Sequence, residues 1–207
     1  MTAFTIRPAQ RNDTDLAVAV FQSSMGGMAD YLFAGLPRLS PQQALARLFQ
    51  SDQHRFSWQF AHILEADGQA AGLLLSYPGR DLKRLQLALF RQLPALFGWS
   101  RTLSFLQRTL ALLTAIEARA DEYYISNIGI LPALRGRGIG AQLMAFAEEQ
   151  AHLAGLQKCS LAVDEHNTGA IRFYERLGYQ IVFSHHFTGK VAQYESGYHR
   201  MVKLLSR

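Results

Sequence analysis

A strand-like apolar stretch, Tyr123 to Leu131, runs through Pro132, Ala133 and Leu134 into Arg135-Gly136-Arg137-Gly138-Ile139-Gly140, and a helix-like stretch begins near Ala141. No other segment restricts the fold as much. A strand that ends in a glycine-rich turn and feeds a helix directs several unpaired backbone N–H groups, and the positive end of the helix dipole, at one point. Gly136, Gly138 and Gly140 remove the Cβ atoms that hold an anion at a distance, and they permit positive φ where the turn needs it. Arg135 and Arg137 add charge-assisted hydrogen bonds. The segment reads as a pyrophosphate cradle.

Glycine-rich turns also occur without a ligand, so the surroundings decide. No Gly-Lys-Ser/Thr closes the run, which excludes a Walker A loop. A dinucleotide fingerprint competes, because Gly136-x-Gly138-x-x-Ala141 fits Gly-x-Gly-x-x-Gly/Ala and Asp164 follows at about the expected ~20 residues, after the strand-like Lys158 to Val163. Against it, Pro132 stops strand pairing before the first glycine is reached. The residues after Asp164 also read as one helix and two strands, too few for a second mononucleotide-binding half. The dinucleotide reading stays as the lesser alternative.

With 207 residues, 49% of them hydrophobic, the chain suffices for one substantial domain over 1–207 and not for two. The N-terminus lacks the basic-then-apolar layout of a signal peptide, and no apolar run reaches the ~18 residues of a membrane span. A cytoplasmic protein without a transmembrane segment is expected. Cys159 has no second cysteine to pair with, and its neighbours suggest a buried strand thiol. No zinc-ligand spacing or repeat appears, so no metal is expected. The formal charge is +5, but seven basic residues against two acidic ones between Arg80 and Arg119 account for all of it. An excess confined to one segment does not describe a nucleic-acid-binding surface, and no such partner is expected.

Along the chain, Phe4 and Ile6 alternate as a first strand, and Asn12 or Asp13 caps a helix carrying Leu16, Val20 and Phe21. Ser40-Pro41 starts a second helix with Leu45, Leu48 and Phe49. Trp58 to Glu65 and Gln69 to Tyr77 read as antiparallel strands joined at Ala66-Asp67-Gly68. From Arg80 to Arg119 the period becomes helical, with Leu82, Leu85, Leu89, Leu93 and Phe97, then Leu103, Leu106, Leu110 and Leu113, broken near Pro94 and Gly98. A strand at Glu122 to Ile130 precedes the glycine loop, and the following helix aligns Leu143, Ala147 and Ala151. Lys158 to Val163 is a further strand, Asn167 or Thr168 caps a helix through Arg176, and strands close the chain near Tyr179 to Phe187 and Tyr198 to Leu205. Mixed α/β is the expected class.

Two separated motifs resemble the GNAT superfamily of acyl-CoA-dependent N-acetyltransferases. Arg135 to Gly140, after Asn127-Ile128-Gly129-Ile130, is similar to its Arg/Gln-x-x-Gly-x-Gly/Ala loop; Asp164 to Tyr179, including Asn167, Ala170 and Tyr174, is similar to its downstream segment. The resemblance is specific over residues 123–182. It implies a mixed, mostly antiparallel central sheet flanked by helices, interrupted here by a two-helix insertion at 80–119 between the third and fourth strands. It further implies acetyl-CoA as acyl donor. Backbone groups at Ile128 and Ile130 would meet the pantetheine arm, and Arg135, Gly136, Arg137, Gly138, Ile139 and Gly140 would hold the pyrophosphate. Asn167, Ala170 and Tyr174 would lie beside the cofactor.

The implied reaction is direct acetyl transfer to a primary amine of a small molecule, peptide or protein. Tyr174 would be the general acid for the leaving thiolate, its ordinary pKa near ~10 lying close to that of a thiol. The alternative is a non-catalytic acyl-CoA or nucleotide-binding domain. For the base, Glu122, His185, His186 and a water relay stay open. Tyr124, Ser126 and Ile128 are expected on one strand face, with Tyr123, Ile125 and Asn127 on the other. The insertion's leucines suit packing onto the domain or a homodimer contact, and its basic residues, if near the acceptor, would disfavour polyamines.

Overall fold

A computed structural model describes residues 4–33, 39–112 and 115–206. Seven strands form one sheet: β1 (Phe4–Pro8), β2 (Ala61–Ala66), β3 (Gln69–Pro78), β4 (Tyr123–Ile130), β5 (Lys158–Asp164), β6 (Gln180–His186) and β7 (Gly197–Leu204), in the spatial order β1-β2-β3-β4-β5-β7-β6. Neighbours are antiparallel except β4 and β5, which are parallel. The mixed, mostly antiparallel α/β class expected above is the class observed.

Apolar residues on β3 alternate between two cores. Leu73, Leu75 and Tyr77 join a cluster built with helices α1 (Thr14–Met25), α2 (Gly27–Phe33), α3 (Pro41–Gln50), α4 (Leu82–Phe97) and α5 (Trp99–Leu110). Leu74 joins a second cluster with α6 (Ile139–Leu153) and α7 (Thr168–Arg176) on the opposite face. A strand buried on both faces must be apolar at consecutive positions, which explains the Leu73-Leu74-Leu75 run. The β2–β3 turn is the expected hairpin: Asp67 and Gly68 have φ of 50° and 77°, the left-handed pair that matches strand twist. Ser40 caps α3, its hydroxyl accepting from the Gln43 N–H at 3.2 Å while Gln43 bonds back to the Ser40 N–H.

Three expectations are corrected. Trp58–Phe60 is a 3₁₀ turn rather than the start of β2, because the Ser57 hydroxyl and backbone carbonyl draw the next N–H groups into a tight turn. Pro94 lies inside α4, and the helix breaks only at Gly98, whose φ of 82° favours glycine. On α5 the buried residues are Thr102 and Phe105, while Leu103 and Leu110 are 59% and 63% exposed. Ring packing selects that face: Phe33 lies 5.7 Å from Phe105 and 6.5 Å from Phe97. Leu113 lies outside the described residues.

The chain leaves the sheet at Gly79 and returns at Glu122 through one point, where the Gly79 N–H donates to the Glu122 carbonyl at 2.7 Å. A Cβ on Gly79 would stand 2.0 Å from the Arg119 carbonyl oxygen. Glu117, on the returning segment, binds the Arg55 guanidinium and accepts the Tyr124 hydroxyl at 2.8 Å, tying the segment to the sheet.

Candidate functional site

Parallel pairing between β4 and β5 lasts for three residue pairs, Tyr123 to Ile125 against Cys159 to Leu161. At that point β4 carries a bulge, since Leu75 and Ser76 of β3 oppose Asn127 and Ile125 and leave Ser126 without a partner. An extra residue bends a strand and sharpens its twist. Beyond the bulge β4 stays on β3 as far as Ile130, and β5 runs on to Asp164 against β7, so the two parallel strands diverge. The edge of β4 toward β5 therefore offers backbone N–H and C=O groups that no strand takes up, and such groups seek a partner. A cavity of about 720 Å³ opens there, with Ile125 to Ile130 on one wall and Leu161 to Asp164 on the other.

The bulge also corrects the expected facing of β4. Tyr124 belongs to the first core and Tyr123 and Ile125 to the second, but Ile128 and Ile130 pack with the second core too. Asn127 faces α1, its amide nitrogen donating to the Ser24 hydroxyl at 2.8 Å. One inserted residue switches the face of everything after it. At Gly129 a Cβ would come 2.9 Å from Val20, so this glycine lets α1 lie directly on β4.

The glycine loop closes one end of the cavity. Gly136 and Gly138 both have φ of 79°, with open space where a Cβ would stand, and α6 begins at Ile139. Gly140 plays a different part: its φ is not positive, and a Cβ would come 3.2 Å from the Phe173 ring, so it sets the approach of α6 to α7. Arg135 donates from Nε to the Ile130 carbonyl at 3.3 Å, linking loop to strand. Of the expected residues, Ile128, Ile130, Arg135, Gly136, Gly138, Ile139, Gly140, Asn167, Ala170 and Tyr174 line this one cavity, and the exposed Arg137 does not. The Asn167 carboxamide oxygen caps α7 by accepting from the Ala170 N–H at 3.1 Å. Tyr174 is the buried residue of α7, and burial pushes its phenol up to about 12.

A second lip faces this loop, and sequence reasoning missed it. Ser23, Ser24 and Gly26 at the end of α1 line the cavity together with Glu195, on the segment entering β7, and Arg176. Gly26 and Gly27 permit this approach. A Cβ on Gly27 would fall 1.8 Å from the Tyr194 carbonyl oxygen, and the Met28 N–H donates to the Glu195 carboxylate at 3.2 Å. Burial, and then the charge of Asp164, raise the Glu195 carboxyl to about 7. The Gly26-Gly27 pair was the available signal, whereas Glu195 had none in its own neighbourhood.

The other base candidates lie elsewhere. Glu122 is buried against Arg200 and accepts the Arg119 N–H at 2.9 Å. His186 sits 3.0 Å from Glu165, and His185 packs between Phe187 and Tyr198, with neither lining the cavity. Cys159 is fully buried with its thiol pushed up to about 12, which makes it inert. Among the described residues, none of the basic side chains of α4 or α5 lines the cavity, whose charged groups are Arg135, Arg176, Asp164 and Glu195. The like-charge argument against polyamines has no residues to rest on. No group of His, Cys, Asp and Glu among the described residues could hold a metal ion, and no helix there is long and apolar enough to cross a membrane.

A model of the acetyltransferase (GNAT) family matches residues 30–179, more than half of the chain. The chain belongs to the GNAT acetyltransferase family. Among curated relatives, this GNAT chain is 43% identical over 56 residues to the aminoalkylphosphonate N-acetyltransferase of Salmonella typhimurium, covering 27% of this chain and 36% of that protein. It is 41% identical over 58 residues to the mycothiol acetyltransferase of Streptosporangium roseum, covering 28% and 17%. The matches thus span about a third or less of those relatives' length. An N-acetyltransferase structure from Staphylococcus aureus Mu50 superposes with a TM-score of 0.71 at 24% identity, over 96% of this chain and 99% of that one. The polyamine N-acetyltransferase of Drosophila melanogaster gives 0.59 at 16% identity, over 98% and 100%. Both likenesses concern the fold.

Proposed function

We propose that this protein transfers an acetyl group from acetyl-CoA directly to a primary amine, with both substrates held together in the β4–β5 cleft. The observation that carries the reading is the convergence of three features on one cavity: the unpaired edge of β4, the glycine loop at the start of α6, and the Tyr174 phenol. The pantetheine arm carries amides of the kind that a free strand edge pairs with. Gly136 and Gly138 leave the backbone open to a pyrophosphate, and Arg135 adds charge beside it. A nearby β4 N–H is the candidate donor to the oxyanion that develops as the amine attacks.

Tyr174 takes a narrower part than an acid of matched strength. A thiol ionises near ~8.5, and a phenol raised to about 12 holds its proton more tightly than that. Its role is to remain protonated and donate a hydrogen bond to the departing sulfur as negative charge develops there.

Calorimetric titration with acetyl-CoA tests the donor site, and mass spectrometry of amines and peptides incubated with acetyl-CoA tests transfer. Tight binding with no acetylated product from any amine assigns the chain to acyl-CoA binding without catalysis. Binding of NADH in place of acetyl-CoA restores the dinucleotide reading.

A further inference from the structure

We propose that Glu195 is the group that takes the proton from the acceptor's ammonium, and that the lip formed by Ser23, Ser24, Gly26 and Glu195 is the acceptor site. This rests on the transfer reading above. Among the described residues, the cavity that holds Tyr174 is lined by two carboxylates, Asp164 and Glu195, and by no histidine or lysine. Asp164 is committed to the turn after β5, where its Oδ1 accepts the His166 N–H at 2.7 Å. Glu195 is half-buried and is held from behind by the Met28 N–H at 3.2 Å. That bond fixes the carboxylate against α2 while the residue lines the cavity. Gly26 sits beside it, where a Cβ would lie 3.5 Å from Glu195 Oε2.

The charges around Glu195 suit proton transfer. Asp164 at the end of β5 and Glu165 in the next turn both oppose its ionisation. Glu165 is itself attended by His166, by His186 of β6 and by His199 of β7, and it bonds Ser196. From the α2 side the contribution is the Met28 N–H, which favours the carboxylate, and the neighbouring Tyr194 ring packs 5.6 Å from Tyr31. The balance leaves a carboxyl near 7, the strength at which a base is both ionised and able to hold a proton at neutral pH. Arg176, exposed at the end of α7, lines the same lip, so an alkylammonium is recognised there by its hydrogen bond to the Glu195 carboxylate and not by a net negative charge.

Glu195 carboxylate removes one proton from the ammonium and later passes it to water. The freed nitrogen pair forms the C–N bond to the thioester carbonyl carbon, the C–S bond breaks, and its electrons leave with the CoA sulfur. The second N–H proton, released as the amide forms, reaches that sulfur through the Tyr174 hydroxyl, which gives its own proton only as it takes up this one, so that no free phenolate forms. One proton is released overall for each amide made.

The test compares wild type with Glu195→Gln and Glu195→Asp, using acetyl-CoA with benzylamine, agmatine or a peptide N-terminus as alkylamine acceptor and hydroxylamine as a weakly basic one. Wild-type kcat/KM for the alkylamine is expected to fall as pH drops below about 7, where the carboxylate becomes protonated. Glu195→Gln is expected to lose the break near 7, its alkylamine rate rising instead with pH up to the amine's own pKa, and to lower the rate at neutral pH on the order of a hundredfold or more. Transfer to hydroxylamine, already neutral at assay pH, should change little, and Glu195→Asp should restore part of the alkylamine rate. Unchanged acetyl-CoA affinity by calorimetry shows that the variants fold. An unaltered acid limb in Glu195→Gln, or equal losses with both nucleophiles, overturns the assignment and leaves the transfer reading standing. Failure of the wild type to acetylate any amine while binding acetyl-CoA overturns both.

Discussion

The two lips of the cleft are built in opposite ways. The lip proposed for the donor comes from nearly contiguous chain, with Ile128 to Gly140 and Asn167 to Tyr174 delivered by a strand, a turn and two helices in order. The lip proposed for the acceptor joins the end of α1 to the segment before β7, and the contact between Met28 and Glu195 spans 167 positions. Local geometry specifies the first, and long-range packing specifies the second. Variants in the two lips should therefore fail in different ways.

The largest expected effect belongs to Tyr174, the proposed hydrogen-bond donor to the departing sulfur. Tyr174→Phe should lower kcat by about 10²–10⁴ while acetyl-CoA affinity, read by calorimetry, stays near wild type; an equal loss in affinity would sink its role in chemistry. Gly27→Ala comes next, because the added Cβ meets the Tyr194 carbonyl at 1.8 Å. Thermal unfolding should register about 1–3 kcal/mol of destabilisation, and the surviving protein should bind acetyl-CoA yet acetylate amines poorly. Gly138→Ala acts on the donor lip alone. At φ of 79° an alanine costs about 1–2 kcal/mol, so the dissociation constant of acetyl-CoA should rise about tenfold with no change in the pH dependence of transfer. Arg137→Ala should show the least, about 0–1 kcal/mol in the same titration, because this exposed residue does not line the cavity. A larger loss than that caused by Arg135→Ala would contradict the loop geometry.

The same division explains what could be read from residues alone. Hairpin Asp67-Gly68, the Ser40 cap, the apolar stripe of α6 and the glycine loop are signals confined to a few neighbouring positions, and each stands where its chemistry indicated. Ser126 carries no mark of a bulge, since the extra residue is defined only by its partner strand. The alternation expected for β4 therefore lost phase halfway along, and Asn127 and Ile128 exchanged faces. On α5, two stripes were compatible with helical period, and Phe33, about seventy positions away, decides in favour of Phe105. Glu195 had only Tyr194, Ser196 and Gly197 beside it in sequence, and its meaning comes from Gly26, Met28 and Asp164.

The three-pair seam between β4 and β5 has a consequence for the protein's lifetime. It is the only strand pairing, among the described residues, that joins the block β1-β2-β3-β4 to the block β5-β7-β6. A ligand whose amides take up the free edge of β4 is then a structural member as well as a reactant, adding a tie between the two blocks beside the core that α6 builds over both. By mass action, a ligand present at a hundred times its dissociation constant stabilises the folded chain by about 2.7 kcal/mol. With acetyl-CoA as that ligand, as proposed above, its scarcity would thin the enzyme population through unfolding and proteolysis, beyond the turnover lost by leaving each molecule idle.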